Sequence, residues 1–243
     1  MTPEQAVTAT KDTLGALGAG YMLAKPTRAF AREHGYRTME FYFAGRGGVV
    51  GEPDADVVQA ALGWFASDVC RVNWEAGCAV AGPKRAAELF DQAMRNWGSS
   101  KLDGVDGVER FAELGERMVT AVKPDGLPLF AGWRAMPRSS DPAEHAYQVA
   151  ALHRELRGSK HIEAAIAQGL DDVETMMANP SQGADRAEAF GHRPPYPDGE
   201  ALRPLFEAAE TATDRLMVRP WSALDEAERP EMVELAERFA GIA

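Results

Sequence analysis

"LHRELRGSKH", Leu152 to His161, sets two histidines, two arginines, a lysine, a glutamate and a glycine between two apolar runs. This stretch is either a reactive site or only the corner where one helix ends and the next begins. Gly158 is a natural C-terminal stop and Ser159 a natural N-cap. The residues therefore predict a helix from Pro142 to Arg157, a joint, and a second helix from Ser159 to about Gln168. Two readings of the joint stand. It is a capped corner whose arginines meet the last carbonyls and acids elsewhere, or it is one wall of a pocket. In the second reading Arg154 and Arg157 offer planar forks to a carboxylate or phosphate. His161, whose ordinary pKa lies near neutrality, then serves as acid or base with Glu155 beside it.

Outward from this stretch, apolar residues recur at spacings of three and four, alanine is abundant and β-branched runs are scarce, which predicts an all-α bundle of about ten helices. The first helix is marked by Thr2 as cap, Pro3 in the first turn, Gln5 closing a capping box, and Ala6, Leu14, Leu17 and Tyr21 on one face to about Ala24. A short helix from Thr27 stops at Gly35. Longer ones are expected at about 54–72, 83–96 and 105–122, the last with Val108, Phe111, Met118 and Val122 on one stripe. The turn "KPDGLPLF" follows and offers a subdivision of one helical domain, 1–243, into 1–123 and 124–243. Residues 179–204 are rich in proline and glycine and read as a long loop. Two helices close the chain, with Phe206, Ala209, Thr213, Leu216 and Met217 inward on one, and Met232, Leu235, Ala236 and Phe239 on the other. Residues 37–46 stay open: Met39, Phe41 and Phe43 alternate as in a strand, while Phe43 and Gly47 sit one helical turn apart.

Thirty-seven acidic residues against 26 basic ones give a net charge of -11, and no long basic run relieves it. Such a surface repels a phosphate backbone, so a nucleic-acid partner and an anionic membrane are both disfavoured. No window of 18 apolar residues occurs and the N-terminus lacks a leader pattern, so the expected location is the cytoplasm. Cys70 and Cys78 have no ligand-spaced neighbours and read as reduced core thiols. His145 and His153 lie too far apart along one helix for a single metal, and no metal site is expected.

"FYFAGRGGVVG", "GLPLFAGWRAMP", "LHRELRGSKHIEAAIAQGL" and "EAAETATDRLMVRPWSAL", in that order from about Phe41 onward, resemble a largely uncharacterised actinobacterial family of helix-turn-helix, MarR-like proteins. The resemblance implies an all-helical fold with a winged helix-turn-helix inserted after the block that holds His161. In this chain that place is taken by the loop expected at 179–204, so the resemblance comes with the DNA-reading element missing. Such proteins also tend to carry histidines near the positions of Ala66 and Gln148, which this chain does not.

Other residues stand out. Tyr42 and Arg46 lie one turn apart if their segment is helical, with Gly45, Gly47 and Gly48 permitting close approach of a ligand or of another helix. Arg134, and the pair Asp214 and Arg215, suggest a structural ion pair between helices, or ligand contacts. No phosphate-binding loop, nucleophile elbow or dinucleotide fingerprint is present. The sequence thus points to a helical protein that holds a small, anionic or carbonyl-bearing molecule near Tyr42, Arg46, Arg134, Arg154, Arg157 and His161, with acid–base chemistry as one use of the site and no cofactor identified. The rival readings are a ligand-responsive regulator descended from helix-turn-helix proteins, and a protein-interaction module that pairs as a homodimer through its last helix.

Overall fold

Pro142 opens a helix that does not stop at Gly158: α9 runs unbroken from Pro142 to Ala167. The computed structural model describes residues 1–242, and within them the corner expected between Arg157 and Ser159 is absent. A glycine inside a helix costs about 1 kcal/mol relative to alanine. That cost is outweighed because Leu152, Leu156, Ala164 and Ala165 are all buried on either side of it. Asp141 caps the start, accepting from the Glu144 amide at 2.9 Å.

The remaining helices pack on α9 or on one another. They are α1 (Pro3–Ala19), α2 (Lys25–Glu33), α3 (Thr38–Gly47), α4 (Ala55–Leu62), α5 (Ser67–Ala81), α6 (Pro83–Leu102), α7 (Val108–Thr120), α8 (Pro128–Ala135), α10 (Asp172–Ala178), α11 (Ala184–Ala189), α12 (Gly199–Leu216), α13 (Val218–Trp221) and α14 (Glu228–Ile242), with a 3-10 turn at Gly48–Val50. No strand occurs among the described residues. Helices α1, α6, α7, α8 and α12 all pack on α9. The approach is close because small residues stand at the crossings: a Cβ added at Gly98 would lie 2.5 Å from Tyr147 Cβ, and one at Gly115 2.1 Å from Val149 Cγ1. No helix is long and apolar enough to cross a membrane among the described residues.

Several expected boundaries move. The first helix keeps its capping box, with Thr2 Oγ1 accepting from Gln5 N and Gln5 Oε1 from Thr2 N. The helix expected at 54–72 is instead two, α4 and α5, parted at Gly63 (φ 61°) and Trp64 (φ 66°). Of residues 37–46, all but the capping Arg37 are helical. Phe41 through Gly47, Arg46 included, are buried on every side of α3, and a helix buried all round belongs in a core where alternation has no meaning. The loop expected at 179–204 is broken by α11 and by the start of α12, and Leu216 is exposed rather than inward. Helices α8 and α10 lie where the sequence pattern marks no helix, α8 beginning within the turn expected at "KPDGLPLF".

One buried apolar cluster extends from Ala6 to Phe239. A second, much smaller one joins Ala164, Ala165, Leu170, Ala178, Phe206 and Ala209, where α9, α10 and α12 meet, with Trp64 packed against it. Both cysteines are free thiols, and burial pushes each up to about 11, so neither is a reactive thiolate near neutrality.

His153 lies within the main core, 4 % exposed, edge-on to Trp221. Burial, and then the charge of Arg157, lower its pKa from 6.5 to about 4, so it is neutral in the fold. The cations facing it are Arg157 and Arg154 of its own helix and Lys11 of α1. Because the folded pKa lies below the unfolded one, the unfolded chain binds the extra proton first. Stability is therefore full above pH 6.5 and falls as pH drops toward about 4, by about 3 kcal/mol from this residue alone. Replacing His153 by Phe should flatten that part of the profile in urea unfolding at pH 7 and pH 5. An unchanged slope would rule out His153 as its source.

Candidate functional site

Seven positions separate Arg154 from His161, which on a continuous helix is two turns and the same face. Only because α9 is unbroken do both reach one cavity, of about 210 Å³, bounded further by Tyr42, Arg46, Trp64 and Arg186. The volume equals that of about seven liquid waters, enough for a small organic acid. It lies at the seam between the large core and the small cluster, where Phe65 of the α4–α5 turn stacks on Phe190 after α11 at 4.2 Å.

The floor is a buried ion cluster. Arg46 donates through Nε to Glu155 Oε1 at 3.0 Å and through Nη2 to Oε2 at 2.9 Å, while Nη1 donates to the Tyr42 hydroxyl at 2.6 Å. Arg154 Nη1 adds a bond to Glu155 Oε1 at 2.8 Å. Burial pushes the Glu155 carboxyl up, but Arg46 and Arg154 more than offset it and hold it below the ordinary range. Arg46, whose charge burial disfavours, is raised by Glu155 and Tyr42 and stays protonated. Glu155 is thus the counter-charge that fixes two arginines, with both oxygens committed. Its place as a proton carrier, expected from the sequence, is not what this geometry offers.

His161 lines the cavity two turns further along α9. Its Nδ1 is 3.1 Å from Thr213 Oγ1 and 3.2 Å from Glu210 Oε1, and its ring faces Trp64 at 5.5 Å. Burial lowers its pKa, Glu210 works against that, Arg157 adds to the lowering and Asp214 opposes it; the net direction is down. Among the described residues Nε2 has no hydrogen-bond partner. Trp64 is held in a left-handed conformation, which for a bulky residue costs about 1–3 kcal/mol. Its carbonyl accepts from His192 Nε2 at 2.8 Å, which helps to hold the turn in place.

Arg186, on α11, lies over the Phe190 ring at 4.2 Å and has no carboxylate partner among the described residues. The lining and floor therefore hold three guanidiniums, Arg46, Arg154 and Arg186, against the single carboxylate of Glu155. In a chain of net charge -11 this is a local excess of positive charge.

Of the residues singled out from sequence, Tyr42, Arg46, Arg154 and His161 converge on the cavity. Arg157 turns away, its Nη2 donating to Glu210 Oε2 and Asp214 Oδ1, both at 3.0 Å. Arg134 is remote: it donates to the Val122 carbonyl at 2.6 Å and closes the end of α7. The pair of Asp214 and Arg215 does not form. Asp214 bonds Lys11 Nζ at 3.0 Å as well as Arg157, whereas Arg215 is exposed and unpaired among the described residues. Sequence reasoning missed Glu210, Thr213, Trp64 and Arg186. Gly63 was the available sign for Trp64, since a glycine inside an apolar run suggests a break. A wider groove of about 900 Å³ opens beside the 3-10 turn, but its Arg85, Arg95 and Arg138 are already engaged by Glu88, Asp91 and Glu116. Lys84 is its one lining cation without a carboxylate partner among the described residues.

Fold and site together define an all-helical protein with a cationic, aromatic-walled cavity on its central helix. Residues 7–194 match a family described as a helix-turn-helix family, and the chain belongs to it. No curated protein and no solved structure matches the chain.

Proposed function

We propose that this protein binds a small anionic or carbonyl-bearing molecule in the cavity between α3, α9 and α11. The observation that carries the reading is the positive charge left over where Arg46 and Arg154 share the one carboxylate of Glu155 and Arg186 has none, in an otherwise acidic chain, beside aromatic faces and an unengaged imidazole nitrogen. Cavities with a few convergent polar groups at a seam between packed units are where small ligands bind. The cytoplasm is the expected location of such a protein, working as a single helical unit.

Calorimetric titration with benzoate, pyruvate and phenylpyruvate at low ionic strength tests this. Saturable binding of at least one is expected, weakened about tenfold by Arg186→Gln, because a charge-assisted bond contributes on the order of 1.5 kcal/mol. If none of the three binds at millimolar concentration, the reading fails.

Family membership favours a second reading, a ligand-responsive regulator of actinobacterial, MarR-like descent that has lost its winged segment. Lys25, Arg28 and Arg32 give α2 one exposed basic face. Salt-dependent retardation of duplex DNA, abolished by changing those three residues to Gln, would favour it over a ligand-binding role alone.

A further inference from the structure

The geometry points to an enolisation site: Tyr42 and His161 are the oxyanion donor and the base for a small 2-oxo acid that bears a hydrogen on the carbon beside its ketone. This rests on the ligand-binding reading above and names the chemistry of the same cavity.

The protonation state of His161 follows from its neighbours. Thr213 Oγ1 donates its one proton to the Ala209 carbonyl at 2.8 Å, so toward His161 it is an acceptor. Glu210 Oε1, the other group near Nδ1, is a carboxylate oxygen and accepts as well. Two acceptors around Nδ1 require the proton there, which leaves the lone pair on Nε2, the ring nitrogen with no protein partner. A carboxylate behind a histidine fixes the tautomer and stabilises the imidazolium that forms when the histidine takes a proton. Glu210 is thus a positioning residue. Its second oxygen is held by Arg157 at 3.0 Å, so it is itself fixed.

Tyr42 has the opposite polarity. Its hydroxyl oxygen accepts from Arg46 at 2.6 Å, and its own proton finds no acceptor among the described residues. A hydroxyl backed by a guanidinium donates well to an oxygen on which negative charge is growing. One wall of the cavity therefore offers a proton donor, another a proton acceptor, and Arg154 and Arg186 offer charge to an anionic group. A plain carboxylate satisfies the arginines and Tyr42 but gives His161 Nε2 nothing to accept. A 2-oxo carboxylate satisfies all three: its carboxylate meets the arginines, its ketone oxygen meets Tyr42, and its acidic C–H faces His161.

The step balances within the molecule. Nε2 takes the proton from the carbon beside the ketone, and the C–H electron pair becomes the carbon–carbon double bond. The carbonyl π pair moves onto oxygen, where the Tyr42 hydroxyl hydrogen bond holds it. Return of the proton from the imidazolium, to oxygen or to carbon, completes a tautomerisation or an exchange with solvent, and no oxidant or cofactor enters.

Proton NMR of phenylpyruvate and pyruvate in deuterated buffer, with the purified full chain, reads the loss of the exchangeable C–H signal. Wild-type protein should accelerate exchange above buffer for at least one of them. His161→Ala and Tyr42→Phe should each reduce the rate about 100-fold or more. Glu210→Gln should reduce it about tenfold and shift the acidic limb of the rate–pH profile to lower pH, because Glu210 opposes the lowering of the His161 pKa by burial and Arg157. A merely structural role for Glu210 would leave that limb in place. Thermal melts of each variant establish that it is folded. Binding of an oxo acid without accelerated exchange overturns the enolisation site and leaves the ligand reading standing. So does binding of benzoate with no binding of either oxo acid, whereas failure of all three to bind removes both.

Discussion

Glu155→Gln is expected to destabilise the protein by about 3–5 kcal/mol, the cost of leaving buried charge without its partner. Glu155 and Arg46 are 3 % and 4 % exposed, and the carboxylate holds Arg46 through two bonds and Arg154 through a third. The amide keeps the shape and loses the charge, so two guanidiniums face one another across a neutral group. Urea unfolding should show a lower midpoint with an unchanged slope. The double replacement Arg46→Met with Glu155→Leu should recover much of the loss, because apolar groups of similar volume require no counter-charge. If the double variant is no more stable than Glu155→Gln, the cluster is not what the single change disturbs. Acid should act in the same direction. The Glu155 pKa is lower in the fold than in the open chain, so its contribution is present above the ordinary carboxylate range and is lost as pH falls through the folded value.

Two glycine-to-alanine changes should have opposite signs. At Gly48 an added Cβ would lie 2.1 Å from the carbonyl oxygen of Pro83, where the end of α3 meets the start of α6. Backbone cannot swing aside as a side-chain tip can, so Gly48→Ala should cost about 3 kcal/mol, the upper part of the overpacking range. At Gly158 nothing lies within 4 Å of an added Cβ, and the residue is inside α9. Gly158→Ala should therefore stabilise by about 0.5–1 kcal/mol. The pair also tests the course of the chain. Were Gly158 a left-handed stop, alanine there would be strained and the sign would reverse. Chemical denaturation of both variants beside the parent protein is sufficient.

Helical class, the capped start of α1 and the inward face of α14 were legible because each is a local pattern: a capping box, and apolar residues at three- and four-residue spacing. Tyr42, Arg46, Arg154 and His161 were legible as an unusual density of polar and aromatic groups among apolar runs. The joint at Gly158 was misread for a physical reason. Glycine and serine in succession are good end signals in isolation, and what overrides them is burial of Leu156, Ala164 and Ala165, which no local rule contains. Glu210 and Thr213 lie some fifty positions from His161, and their approach is set by the packing of α12 on α9. Arg186 lay in a stretch read as loop, so nothing fixed its direction. The missing bond between Asp214 and Arg215 is the same lesson from the other side, since Asp214 finds Lys11, more than two hundred positions away.

The seam beneath the cavity has a consequence for how the molecule comes apart. Tyr42 and Phe65 belong to the large core, whereas Trp64 packs on the small cluster to which α10 and α12 contribute few apolar residues. Local opening follows the least-buried boundary, so the α10–α12 wall separates from the rest at a smaller free energy than global unfolding requires. A molecule lodged between the two sides is in contact with both at once, and its affinity adds to the work of parting them. Occupancy would then act as a fastener, converting a protein with a loosely joined flank into one that melts as a single unit.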